Sequence, residues 1–247
     1  MIKLVGVPKR RAGWSAEEFY AHYYERHGPL SATVREFGKY AHQYTQNYAL
    51  LRDMDPPLPN HTLDRDGITE LWFDDLEALI AAYREPDYLS VLRTDEKRFV
   101  DLDDIMVAIV QEHLLFDEPA DVEPDKAWAH RPRFHLFAFR AVRAGDSLAD
   151  FQKKWLTVAE DIRASAPFAR YVRRYVQSHV IEADAGLPGA CAFGAIDEFT
   201  FVSIDDAIAF WRAYCATEAL KTHDDRLTDS AGLKLFFGRS HVVVGAL

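Results

Sequence analysis

Cysteine is almost absent from this sequence: Cys191 and Cys215 are the only two among 247 residues. Two thiols so placed make neither a disulfide framework nor a paired CxxC metal site, so they are expected to be reduced, which points to the cytoplasm. No apolar run is long enough to span a bilayer. The opening MIKLVGVPKRRAG has too short an apolar stretch for a signal peptide, and basic residues follow where a small-residue cleavage site would stand. Positive charge is also in deficit, with 29 Lys and Arg against 39 Asp and Glu, a net charge of −10 and a pI near 5.4. Such a chain repels phosphate backbones, which argues against nucleic acid and for a small organic molecule as partner. GxGxxG, Walker, GxSxG and HExxH patterns are all missing, which removes the usual nucleotide cradle, hydrolase elbow and dedicated zinc site.

What is present begins with 49% hydrophobic residues, enough for one large core or two ordinary ones. The best-marked stretch is Trp14–Leu30, WSAEEFYAHYYERHGPL. Ser15 with Glu18 three residues on spells a capping box, and Glu17 and Glu18 suit the positive end of a helix. Phe19, Tyr23 and His27 recur every four residues on one face, and Gly28-Pro29 is expected to stop the helix. His27 thus falls at the carboxyl end of a buried face, where one ring nitrogen can be held and the other left free. A core histidine bonded to a backbone carbonyl is the alternative reading. His22 and His27 lie five residues apart, about 140° around an α-helix, so they are not expected to share an ion, and no metal is assigned.

Around this helix the chain alternates regular elements. Ile2–Pro8 reads as a strand, and Lys39–Tyr48 as another with Tyr40, His42, Tyr44, Gln46 and Tyr48 on one side. Leu50–Gly67 is rich in Pro and Asp, a candidate lid; Ile68–Phe73 is a strand, Asp74–Tyr83 a helix, Tyr88–Phe99 a shorter helix and Ile105–Phe116 a closing strand. The order is strand, helix, strand, strand, helix, strand. After a Pro-rich linker it starts again: Phe151, Trp155, Tyr175 and Glu198 answer Phe19, Tyr23, Tyr44 and Glu70 at spacings of about 128 to 132 residues, an internal duplication. His241 answers His113, but Ala159 stands where His27 would. The expected fold is therefore α+β: two ferredoxin-like βαββαβ repeats, 1–117 with the candidate site and 134–247 diverged, joined by linker 118–133. Each repeat should bury a spare apolar sheet face by stacking on the other.

Phe19, Tyr23 and His27-Gly28-Pro29-Leu30, inside such a unit, resemble the EthD family of dimeric α/β barrels, and Phe134–Leu247 resembles a second, degenerate copy. The resemblance implies two four-stranded antiparallel sheets packed face to face, helices outside, and a pocket between each sheet and its helices. It also implies cofactor-free dehydratases, decarboxylases and lactone isomerases acting on polyketide or aromatic intermediates, alongside relatives that carry haem or act as monooxygenases, and it leaves room for a homo-oligomer.

Of the residues named, only His27 is carried over from that family. The candidate catalytic set is His27 with His42, Tyr44 or Glu70 as second proton partner, and the candidate substrate-binding set is Phe19, Tyr23, His61 and Trp72. Glu70 and Glu198 sit mid-strand at matching positions, which reads either as paired structural carboxylates or as a pocket acid. The expected function is a cofactor-independent lyase or isomerase moving protons on a small cyclic or aromatic carbonyl compound. A non-catalytic binding or accessory protein, and a haem-dependent or oxygen-using enzyme, are the alternatives.

Overall fold

The computed structural model describes residues 1–50, 62–118, 133–183 and 192–244. The candidate lid with His61, the linker and Cys191 fall largely or wholly outside the described residues. Eight antiparallel strands form one closed barrel: β1 (Ile2–Val7), β2 (Gln43–Ala49), β3 (Gly67–Phe73), β4 (Met106–Asp117), β5 (Phe134–Ala141), β6 (Arg174–Val180), β7 (Phe193–Phe201) and β8 (Lys234–Val244). The first four pair in the order β4-β1-β3-β2 and the last four in the order β8-β5-β7-β6. Among the described residues no helix is long and apolar enough to cross a membrane.

The sequence predicts two sheets packed face to face as a dimeric α/β barrel within one chain. In the closed barrel their edges are joined by hydrogen bonds, β2 to β8 with Asn47 opposite Ser240, and β4 to β6 with Glu112 opposite Ser178. Closure removes four edge strands whose N–H and C=O groups would otherwise lack partners. Both seam ladders carry a bulge, at Tyr44/Thr45 and at Leu114/Phe116. Each bulge adds the local bend and twist that a closing sheet needs.

Every strand consequently has one face inside the barrel and one under helices, which explains near-continuous runs such as IKLVGV. On β1, Val5 and Val7 enter the interior cluster with Ile68, Phe137 and Phe236, while Leu4 packs under the helices with Leu71 and Tyr44. Over the first sheet lie α1 (Ala16–His22), α2 (Gly28–Ser31), α3 (Arg35–Gly38), α4 (Leu76–Arg84) and α5 (Arg93–Phe99). The second sheet is covered by α6 (Leu148–Ala164), α7 (Ala166–Tyr171), α8 (Ile204–Ala216) and α9 (Glu218–Leu227). Two local expectations shift. The second strand starts at Gln43 rather than Lys39, because Arg35–Gly38 forms a helical turn first. The first helix also does not stop at Gly28-Pro29: the chain stays helical through Ser31, with Pro29 in the first turn of α2.

The barrel interior also holds charge. The Lys3 ammonium lies 2.7 Å from Glu70, 2.8 Å from Glu112 and 3.4 Å from Glu198, and His135 Nδ1 lies 3.0 Å from Glu198. Burial, reinforced by the neighbouring Glu198 charge, lifts the Glu70 carboxyl. At Glu198 burial is outweighed by Lys3 and His135, which hold it well below the usual carboxylate range. Lys3→Met should therefore cost about 3–5 kcal/mol of stability in urea unfolding, because it strands carboxylates away from water.

At the β4–β6 seam, His179 packs 4.5 Å from His113, and burial followed by the His113 charge lowers it to about 4. Its folded value lies below the ordinary 6.5, so the unfolded chain binds the extra proton between those limits. Stability from this group is complete above pH 6.5 and is lost as the pH falls toward 4. The melting temperature of the native chain relative to His179→Gln should fall across that window from the neutral to the acid end.

Candidate active site

Ser15 accepts from the Glu18 N–H at 3.1 Å while the Glu18 carboxylate accepts from the Ser15 N–H at 2.7 Å, so the predicted capping box fixes where α1 begins. The helix then widens. Tyr23–His27 form a π-helical turn, closed by the Gly28 N–H donating to the Tyr23 carbonyl. A second π turn, Tyr88–Leu92, leads into α5. Among the described residues these are the two π turns, and such turns occur often at functional sites because each inserts one residue and redirects the side chains that follow. Gly28 permits the close approach of the first turn to β2: a Cβ there would lie 3.2 Å from the Gln46 side chain, whose amide donates to the Tyr23 carbonyl at 2.9 Å.

Between the two π turns and the outer face of the first sheet lies a cavity of about 90 Å³. Its walls are mainly aromatic and aliphatic, with Tyr23, Phe37, Tyr44, Leu71, Tyr88 and Phe99, and its polar groups are His27, Thr69, Arg93 and Glu96. His27 is buried, and its Nδ1 lies 3.0 Å from Asp95 Oδ2, which leaves Nε2 as the nitrogen for a ligand. Tyr23 stacks on the imidazole at 6.0 Å and Phe99 tilts against it at 5.3 Å, holding the ring plane. Burial pushes the Asp95 carboxyl up, but hydrogen bonds from His27 and then His22 outweigh it and leave it below its usual value. Glu96 behaves oppositely: burial dominates and raises it, despite His27 and Arg93, whose guanidinium is 3.1 Å away. Tyr88 donates to Glu96 at 3.2 Å. Burial also raises Tyr23 and Tyr44, so both remain neutral hydroxyls at physiological pH.

The residues singled out from sequence are distributed unevenly. His27, Tyr23 and Tyr44 line the cavity together; Tyr23 is hydrogen-bonded to Thr69, and the Tyr44 hydroxyl accepts from Gln46 at 2.8 Å. Phe19 is fully buried behind the wall, 5.5 Å from the Tyr23 ring and 5.3 Å from Phe99. Glu70 and Trp72 are on the other face of β3: Glu70 meets Lys3 inside the barrel, and the Trp72 indole donates to Glu112 at 2.7 Å. The sheet itself separates them from His27. His42 precedes β2, is largely exposed, and pairs with Asp74 at 3.0 Å outside the cavity. Asp95 and Glu96 were not foreseen. The available signal was two acids between Leu92 and Phe99, on the stripe that a helix would bury.

The second half carries similar hydrogen bonds around different contents. Gln177 donates to the Trp155 carbonyl at 3.3 Å and to the Tyr175 hydroxyl at 2.7 Å, as Gln46 does to Tyr23 and Tyr44. Here α6 runs without a π turn, Ala159 is buried at the position matching His27, and fully buried Arg140 bridges Asp197 at 2.9 Å with its guanidinium 4.7 Å from the Trp155 ring.

The cavity was weighed as a haem site, since His27 has the carboxylate partner that metal-bound histidines usually have. The free space of about 90 Å³ between these side chains holds at most a small ring, so a porphyrin does not fit here unless they part. Among the described residues no group of three His, Cys, Asp or Glu side chains is placed to hold a metal ion. Haemin added to the purified protein should give no shifted Soret band; a stoichiometric one that His27→Ala abolishes would reverse this assignment.

The EthD domain model matches residues 11–103. No curated protein matches the chain in sequence. Among solved structures, the chain is similar to an anthrone oxidase-like protein, with TM-score 0.59, 11% identity, and coverage of 100% of this chain and 96% of that one. It is also similar to a protein of Fusobacterium nucleatum provisionally assigned as a monooxygenase, with TM-score 0.56, 9% identity, and coverage of 100% and 95%. A chlorite dismutase variant of Candidatus Nitrospira defluvii gives TM-score 0.52, 10% identity, and coverage of 98% and 92%. At such identities the likeness is one of fold, a barrel of the dimeric α/β type contained in a single chain.

Proposed function

From the premise that residues 11–103 form an EthD domain, we propose that the chain is a cofactor-independent lyase or isomerase. It would transfer protons on a small cyclic or aromatic carbonyl compound, with His27 as the acid or base. The observation that carries this reading is the pairing in one aromatic cavity of an imidazole whose Nδ1 is fixed by Asp95 with a carboxyl, Glu96, that burial keeps protonated to higher pH. The adjacent carboxyls Asp95 and Glu96 are pushed in opposite directions, down and up, which is a common basis for dividing acid and base roles. In this reading His27 Nε2 removes the proton beside the substrate carbonyl, or returns one to a leaving hydroxyl, and the Asp95 contact keeps the Nδ1–H tautomer. Glu96 supplies or takes the second proton. The Tyr23 and Tyr44 hydroxyls, neutral under these conditions, polarise the carbonyl by hydrogen bonding, so Tyr44 assists as a donor and not as a base.

The two halves, 1–117 and 134–247, are read as a duplicated ferredoxin-like unit in which only the first keeps this chemistry. The shared strand order and the repeated Gln46 and Gln177 hydrogen bonds support common descent. The buried Arg140–Asp197 pair and Ala159 support loss of the second site. The cytoplasm is the proposed setting, and self-association into a homo-oligomer is compatible with it.

The test is turnover across a panel of cyclic and aromatic β-hydroxy ketones, β-keto acids and unsaturated lactones. General acid–base catalysis is typically worth 10²–10⁴-fold. His27→Ala should therefore lose at least about a hundredfold in kcat, while circular dichroism stays native and calorimetry with a bound product gives one site per chain. Turnover that survives the substitution sinks the mechanism. Binding at one site with no turnover of any panel member points to an accessory binding protein.

A further inference from the structure

His22 and His27 are five residues apart, a spacing that sets side chains on different faces of an α-helix. The π turn between them, with its i to i+5 repeat, brings the two rings to one side. Asp95 receives both: His27 Nδ1 lies 3.0 Å from Oδ2, and His22 Nε2 lies 3.0 Å from Oδ1. The His22 ring is not a loosely held surface group. Trp14 meets it edge-on at 5.4 Å and Phe99 packs at 4.6 Å, and the side chain is only 12% exposed. His22 also lines an open groove with Trp14, Glu18, Glu25 and Arg26, whereas His27 lines the cavity. One carboxylate therefore stands between an imidazole in the cavity and an imidazole facing outward.

We propose that His22 is a positioning residue that sets the charge state of His27 through their shared carboxylate. The inference rests on the reading of His27 as the proton-transfer group. A neutral His22 donates one hydrogen bond to Asp95 and leaves the carboxylate charge to His27. A protonated His22 neutralises that charge and repels a second positive ring. Glu18 and Glu25 in the outer groove favour the first proton on His22, against Arg26 beside them and Arg98, 3.9 Å from Asp95 on α5. Glu96 on the cavity side favours charge on His27, but it shares its carboxylate with Arg93 and Tyr88 in an otherwise aromatic enclosure. The shared carboxylate thus couples the two rings, and a charge on His22 works against a second charge on His27.

Two groups coupled in this way titrate in two macroscopic steps that belong to the pair. The experiment is a histidine NMR titration of the full-length chain without substrate, comparing the native protein with His22→Gln and His22→Phe. The first variant keeps a neutral donor for Asp95, and the second keeps an aromatic ring between Trp14 and Phe99. In both, the His27 midpoint should rise by about one pH unit, the scale of such coupling, with the larger rise in His22→Phe. Asp95→Asn should abolish the two-step behaviour. The acid limb of kcat on a panel substrate should move in the same direction as the midpoint. A His27 midpoint that stays put or falls in the folded His22→Gln protein overturns the proposal, since packing alone would leave it unmoved. That result would not touch the catalytic role of His27, which the His27→Ala turnover measurement decides separately.

Discussion

The need to pair every strand edge shapes the rest of this molecule. Two four-stranded sheets stacked without joining would leave β2, β4, β6 and β8 each with a row of unpaired backbone groups, and the seams β2–β8 and β4–β6 remove that cost by closing the barrel. Closure gives each strand two covered faces with different solvents. The inner face holds the Lys3 ammonium and the three carboxylates around it in a narrow volume, so polar residues there must satisfy one another. The outer face is roofed by helices, and the cavity at His27 lies between that roof and the first sheet.

The asymmetry between the halves follows from how the helical roof is built. Over the first sheet, two π turns redirect the side chains after them, and one presents the imidazole of His27 while the other precedes the carboxyls of Asp95 and Glu96. Over the second sheet, α6 keeps regular α-helical spacing, and its Phe151, Trp155, Val158 and Ile162 fill the same layer with hydrocarbon and an Arg140–Asp197 pair. The two roofs share their Gln hydrogen bonds to the helix backbone, so the difference lies in what stands beneath them and not in how they are tethered. A carboxylate shared between His22 and His27 is the device that makes the first roof responsive to charge.

Much of this was already legible in the residues. The capping box at Ser15 and Glu18 is a local contest between side chain and backbone, so it reads directly from four letters and holds in the structure. The alternation of Tyr44, Gln46 and Tyr48 against Thr45 and Asn47 is equally local and survives, because a strand's period of two does not depend on what lies nearby. The face that each set would occupy was a different matter. With both faces covered, hydrophobicity carries no sign that separates barrel interior from helical roof, and so Glu70 and Trp72 could not be told from cavity residues by pattern alone.

The sequence by itself determined the α+β element order, the capped helix, the burial of His27 and the chemistry its ring could offer, since each depends on neighbours a few residues away. The tertiary structure alone decided that His22 and His27 meet at one carboxylate. A reading at 100° per residue places them on different sides of the helix, and the π turn, packed against β2 with Gly28 close to Gln46, brings them together. Only the fold decided that Asp95 and Glu96 belong to the site, because 68 residues separate Asp95 from His27 and nothing local to either encodes the contact. Glu70 is excluded from the cavity for the same reason, since barrel closure, which is long-range, sets which face of β3 looks inward, while His42 lies before its strand begins and pairs with Asp74.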